Sequence, residues 1–230
     1  MADSKVSFEE LAASVPATVG IAFAAPHGGV HSFGPWSSGV AWSTIKVPLA
    51  IAALRHDPGR LWDLVVKAIT ESDNDASERL WSRLGEPAHA ARGVQAVVNE
   101  CGDTATVVES RRIRRGFTAF GQTQWTLERQ ARFAARLPHL PDAAPVIDLM
   151  RRLTSTQRWG LAAKGIAAKG GWGPGLDDGY LVRQFGIIPT ESGHAGAALA
   201  AQAETFDVGV DVLNTMTDWL VDHLPALTRR

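Results

Sequence analysis

The sequence predicts an α/β fold of the α+β kind: a five-stranded antiparallel sheet flanked by N- and C-terminal helices, with a large all-helical insertion. Three observations carry this. Two runs of strand character, Thr18 to Ala24 and Gly29 to Phe33, stand near the start, around the turn residues Pro26 to Gly29. From Trp42 to about Trp159 the apolar residues recur mostly at helical spacing. From Ile166 the period returns to that of strands, and an amphipathic helix closes the chain.

Taken in order, Ser7 to Ala13 reads as a short helix ahead of the first two strands. Ser43 opens an apolar run to Leu54 that Pro58-Gly59 ends. Arg60 to Thr70 sets Leu61, Leu64, Val65 and Ala68 on one helical face. Asp75 to Leu84 and Pro87 to Asn99 are two further helices, stopped by Gly85 and Gly102. Thr126 is the expected N-cap of a helix to Leu137 that exposes Arg129 and Arg132, and Ala144 to Leu153 ends the block. Ile166 to Lys169, Gly179 to Ile188 and Ala195 to Gln202 read as three strands. The first turn between them is rich in Gly and Asp, and the second holds Pro189 and Gly193. Phe206 to Leu224 directs Val210, Leu213, Met216 and Leu220 to the core. The expected division is a sheet subdomain of residues 1–41 and 160–230 and a helical subdomain of residues 42–159.

Composition excludes several classes of function. The 230 residues are 45% hydrophobic and 20% charged, ordinary for a soluble globular protein. A net charge of -1 implies no polyanion partner, so nucleic acid is not expected. The apolar run Val47 to Leu54 is far short of a membrane span. Cys101 is the only cysteine, which rules out an intrachain disulfide; its place at a helix end suits packing. The histidines show no metal-ligand spacing, so neither metal nor other cofactor is expected. His194, opening a strand, reads as structural. No apolar signal segment opens the chain, yet a chain whose leader had been removed would read the same, so cytoplasm and cell envelope both stay open.

Three short motifs carry chemistry. In Ser43-Thr44-Ile45-Lys46 the helical spacing places an amine beside a hydroxyl, and a serine needs such a base to become a nucleophile. Burial or nearby charge would lower the lysine pKa enough for the task. Ser72-Asp73-Asn74 lies between two helices, and Lys169-Gly170-Gly171 ends a strand where glycine admits a second backbone. Each has an ordinary reading: an N-cap serine with a surface lysine, an N-cap cluster, a glycine turn. Trp42 and Trp172 flank the first and third motifs and could wall a cleft, whereas Trp62, Trp81 and Trp219 fit helix faces turned to the core.

The trio, in this order, resembles the signature of the serine β-lactamase and penicillin-binding-protein superfamily, and the layout is similar to class A β-lactamases. Trp42 to Leu54 is similar to that family's nucleophile helix, Leu64 to Leu80 to its second motif with flanking helices, and the resemblance spans Thr18 to Leu224. It implies roles position by position. Ser43 attacks an amide or lactam carbonyl and Lys46 takes its proton. Ser72, assisted by Lys169, passes a proton to the leaving nitrogen. Asn74, Gly170 and Gly171 bind substrate, and the backbone N–H groups of Ser43 and Trp172 form an oxyanion hole. The implied partner is a small molecule or peptide: a β-lactam, a D-alanyl peptide, or a related amide or ester.

The chain departs from the pattern in three ways. The interval from Ser43 to Ser72 is short, with one helix between the motifs, so the cleft should be more open there. Counting on from Gly102-Asp103 puts Arg112 where class A enzymes carry the deacylating glutamate; the nearest candidate base is Glu109, and no Glu-x-x-x-Asn pattern occurs. Gly170 stands where a serine or threonine is usual, removing a hydroxyl that would bind a substrate carboxylate; Arg183 on the next strand is the expected substitute. The run Arg111, Arg112, Arg114, Arg115 reads as a solvated loop, or as an attractant for an acidic ligand. Three functions follow: a serine acyl-enzyme with slow deacylation, a binding protein that has lost turnover, and an esterase on the same fold.

Overall fold

Alternate residues along the central strands enter two different cores, and this alternation sets the architecture of the computed structural model, which describes residues 2–175 and 179–229. The elements run α1 (Ala2–Ser14), β1 (Ala17–Ala24), β2 (Val30–Phe33), β3 (Ser38–Val40), then α2 (Lys46–His56), α3 (Trp62–Thr70), α4 (Asn74–Arg83) and α5 (Pro87–Glu100). There follow β4 (Gln124–Thr126), α6 (Leu127–Arg136), α7 (Ala144–Met150), β5 (Ala167–Pro174), β6 (Tyr180–Thr190), β7 (Gly193–Ala203) and α8 (Phe206–Leu227). Five strands form one antiparallel sheet, as expected; their order is β2-β1-β7-β6-β5, so β5 is an edge.

On β1, Ala22 and Ala24 join the core formed with the helices α2 to α7, while Val19, Ile21 and Phe23 join the core under α1 and α8. On β7, Ala198 and Ala200 face the first core and Ala197, Leu199 and Ala201 the second. The small residues on the first face let α6 lie directly on the sheet. On the other face Phe8 of α1, Phe33 of β2 and Trp219 of α8 make a ring cluster with centroids 4.9–5.9 Å apart.

The helices match the sequence periods closely. Thr126 caps α6 through Arg129 N, and Asp73 caps α4 through Ala76 N. Several expectations need correction. Ser43 is not an N-cap: it lies in a 3₁₀ turn, Trp42–Ile45, that leads into α2 without a side-chain cap. α1 is longer than its apolar residues suggest, and Val210 is only half-buried on α8. Trp62 is 37% exposed at the start of α3 rather than in the core, unlike Trp81 and Trp219. β5 continues through the glycines to Pro174; of the turn beyond it, residues 176–178 lie outside the described residues. The pairing of β3 with β4 has no local signature in sequence.

Candidate active site

The three motifs meet where the edge strand β5 abuts the 3₁₀ turn at Ser43. Residues Lys169, Gly171 and Gly173 point to the helical side of β5. A Cβ on Gly171 would lie 2.8 Å from Ser43 N and 2.9 Å from Ala41 O, and one on Gly173 would strike the Trp42 ring. Only glycine lets the strand press this closely against the turn that carries Ser43. Gly170 and Trp172 point the other way. A Cβ on Gly170 would stand 2.6 Å from the Trp159 ring, so Trp159 fills the place a serine or threonine side chain would take. Gly170 therefore offers substrate no side chain on the cleft side; its carbonyl accepts from Lys169 Nζ at 2.9 Å.

Two buried lysines converge on Ser72, in the loop between α3 and α4. Lys169 Nζ donates to Ser72 Oγ at 2.8 Å, and Lys46 Nζ approaches the same oxygen at 3.5 Å. Lys46 also donates to Asn74 Oδ1 at 2.8 Å and to the Ser72 carbonyl. Lys46 and Lys169 are 1% and 0% exposed. Burial pushes the Lys46 amine down to about 7 against the opposing field of Asp73. Burial, and then the charge of Lys46, hold Lys169 well below the ordinary lysine range. Ser72 and Trp42 are the two non-glycine residues with left-handed backbone, φ 59° and 49°, among the described residues. Such conformations cost about 1–3 kcal/mol each and persist where surrounding structure enforces them.

Ser43 itself faces a cleft of about 490 Å³ together with Lys46, Asn74, Trp42 and Trp172. Its hydroxyl takes part in none of the hydrogen bonds of the described residues, and Lys46 Nζ is turned to Ser72 and Asn74 instead. The cleft wall also holds Asp75, Glu78, Arg112, Phe117 and Tyr180. Arg112 Nη2 donates to Glu78 Oε1 at 2.9 Å. Arg114 stacks on Trp42 and Phe117 and donates to Pro174 O at 3.1 Å, tying the irregular 103–119 segment to the tip of β5.

Two expected site residues lie elsewhere. Arg183 does not reach the cleft. It is fully buried, and its guanidinium donates to the carbonyls of Gly39, Val40 and Trp125 and to Gln130 Oε1 at 2.9–3.0 Å, locking β3 and β4 to the sheet. Its direction on β6 is inward because Val182 takes the other face. Glu109 does not line the cleft either. Its carboxylate accepts from the backbone and side chain of Arg111; burial raises its pKa, but these N–H donors prevail and hold it low. Arg111, Arg112 and Arg115 are exposed, in keeping with a solvated loop; Arg111 and Arg112 each pair with a carboxylate, and Arg114 packs on its rings. Glu78 escaped the sequence reading, although it stands one helical turn after Asn74 on the same face of α4. A second cavity, of about 530 Å³ between α6 and the β1–β2 and β6–β7 turns, holds His27, His139 and His194 and no motif residue. Among the described residues no cluster is arranged to hold a metal ion, and no helix is long and apolar enough to cross a membrane.

No protein-family model and no curated sequence matches the chain. Solved structures do. The TLA-3 extended-spectrum β-lactamase superposes over 97% of this chain and 98% of its own, with a TM-score of 0.76 at 14% identity. PBP-A aligns over 98% and 97%, with a TM-score of 0.73 at 19% identity. A class A β-lactamase from Mycobacterium abscessus aligns over 96% and 99%, with a TM-score of 0.75 at 16% identity.

Proposed function

We propose that this chain, which has the fold of class A β-lactamases and of PBP-A, is a serine acyl-enzyme hydrolase with Ser43 as nucleophile. The observation that supports it most is the convergence of two enclosed amines on one hydroxyl beside an open serine. A lysine held near pKa 7 is partly neutral at physiological pH and accepts a proton, which an exposed lysine does not.

In the acylation step Ser43 Oγ attacks the carbonyl carbon of an amide, lactam or ester. Its proton passes to neutral Lys46 once the amine rotates from Asn74 toward Ser43. Hydrogen-bond distances in an unliganded site tighten when substrate binds. The oxyanion is received by the N–H groups of Ser43 and Trp172, on the two segments that Gly171 holds together. As the tetrahedral intermediate collapses, Ser72 gives its proton to the leaving nitrogen and is recharged from Lys46, while Lys169 fixes the Ser72 hydroxyl. Asn74 is the donor for a substrate amide carbonyl. Substrates of this chemistry include β-lactams and D-alanyl peptides. Glu109 sits outside the cleft, bound to Arg111, which favours deacylation as the slow step.

An ester lacking a free carboxylate is a second reading, favoured by the absence of a side chain at Gly170. Intact-protein mass spectrometry after incubation with a fluorescent penicillin, beside Ser43→Ala, tests the assignment. A covalent adduct absent from the variant is expected. No adduct and no drug hydrolysis would sink the lactam reading, and an aryl ester run in parallel decides the second.

A further inference from the structure

The cleft contains two carboxylates, and they are not equivalent. Asp75 is exposed at the start of α4 and makes no hydrogen bond or ion pair among the described residues. Glu78 is one turn deeper, half-buried, on the face that carries Asn74, whose side chain is bound to Lys46. Arg112 reaches it from the irregular segment after α5 and engages Oε1 at 2.9 Å. No hydrogen bond of the described residues engages Oε2, so Glu78 lines the cleft that Ser43 faces with one oxygen held by Arg112 and the other uncommitted. The segment after α5, where a class A base was expected, thus supplies a cation, and the carboxylate comes from the helix opposite.

We propose that Glu78, oriented by Arg112, is the general base that activates water for deacylation of the Ser43 acyl-enzyme. The step rests on the serine acyl-enzyme reading. Glu78 Oε2 accepts a proton from water as the water oxygen bonds to the ester carbonyl carbon. The tetrahedral intermediate then expels Ser43 Oγ, which recovers the proton, and the free acid leaves. No further reactant is needed. Arg112 is a positioning residue: it fixes the carboxylate plane without touching the acyl group.

Adduct lifetime on intact protein separates this from a structural ion pair. Wild type, Glu78→Gln and Glu109→Gln are acylated with a fluorescent penicillin and, separately, with p-nitrophenyl acetate, and both formation and decay of the Ser43 adduct are followed by mass. Glutamine keeps the shape and the Arg112 hydrogen bond but cannot take the proton. Formation within about threefold of wild type with decay slowed about 100-fold in Glu78→Gln alone is expected. Glu78→Gln adducts decaying at the wild-type rate would overturn the assignment, as would slowing caused by Glu109→Gln instead. If wild type forms no Ser43 adduct and hydrolyses neither probe, the nucleophile reading itself fails and the Glu78 assignment falls with it. That outcome is distinct from an adduct whose decay ignores Glu78.

Discussion

Lys169 Nζ donates to Ser72 Oγ at 2.8 Å, from an edge strand to a loop 97 residues earlier in the chain. The bond fixes the hydroxyl that Lys46 approaches from the other side. Neither amine has a carboxylate in hydrogen-bond reach; their acceptors are hydroxyl, amide and carbonyl oxygens. Neutral acceptors stabilise an ammonium less than a carboxylate does, so enclosure wins and both lysines lose proton affinity.

Acylation should therefore report on Lys46. The rate of Ser43 acylation is expected to rise with pH through about 7, as the amine becomes neutral. Lys46→Met should lower the rate by about 10²–10⁴-fold and remove that rise. Stopped-flow acylation by an aryl ester across the range checks both.

The same group couples stability to pH. Its folded pKa of about 7 lies below the unfolded value of 10.5, so the unfolded chain binds more protons between them. The associated stability is fully present above 10.5 and is lost as pH falls through about 7. Urea midpoints measured across that interval should rise with pH in wild type and rise less steeply in Lys46→Met.

Gly170→Ser tests the steric account of the third motif. The added Cβ meets the Trp159 ring at 2.6 Å, and overpacking of this kind costs about 1–3 kcal/mol. In combination with Trp159→Leu the losses should be less than additive. Denaturation of the two single variants and the double variant gives the coupling; strict additivity would show that Gly170 is not held by Trp159.

Arg183→Lys should destabilise the protein by about 3 kcal/mol or more, because one ammonium cannot serve four acceptors and each buried oxygen left unpaired costs about 1–3 kcal/mol. Gln130 Nε2 donates in turn to Thr44 Oγ1 at 2.9 Å, so the loss should extend to the turn that carries Ser43. Chemical denaturation with acylation of the folded fraction measures both.

The sheet and most helices were legible because their signals are local. Alternation in β1, β6 and β7 and the helical period of α3, α4 and α6 come directly from which faces are buried. What was misread depended on distant chain. The strand reading that ends at Lys169 stops short; Gly170 and Gly171, readable as a turn or as an open edge strand, are strand residues, with Trp159 and the Ser43 turn occupying the spaces beside them. Arg183 could have pointed to either face, and only the carbonyls of β3 and β4 decide for burial. Glu78 was findable as the residue one turn after Asn74. Its partner was not, since residues 103–119 have no period from which to trace their path.

The three glycines Gly170, Gly171 and Gly173 are hemmed in by two neighbouring segments: the Trp42–Ile45 turn at Gly171 and Gly173, and Trp159 at Gly170. An added side chain at any of these three positions meets backbone or a ring, and the obstruction stands on both faces of the strand. A single methyl group added on this strand therefore has nowhere to go without moving the turn that carries Ser43 or the Trp159 ring.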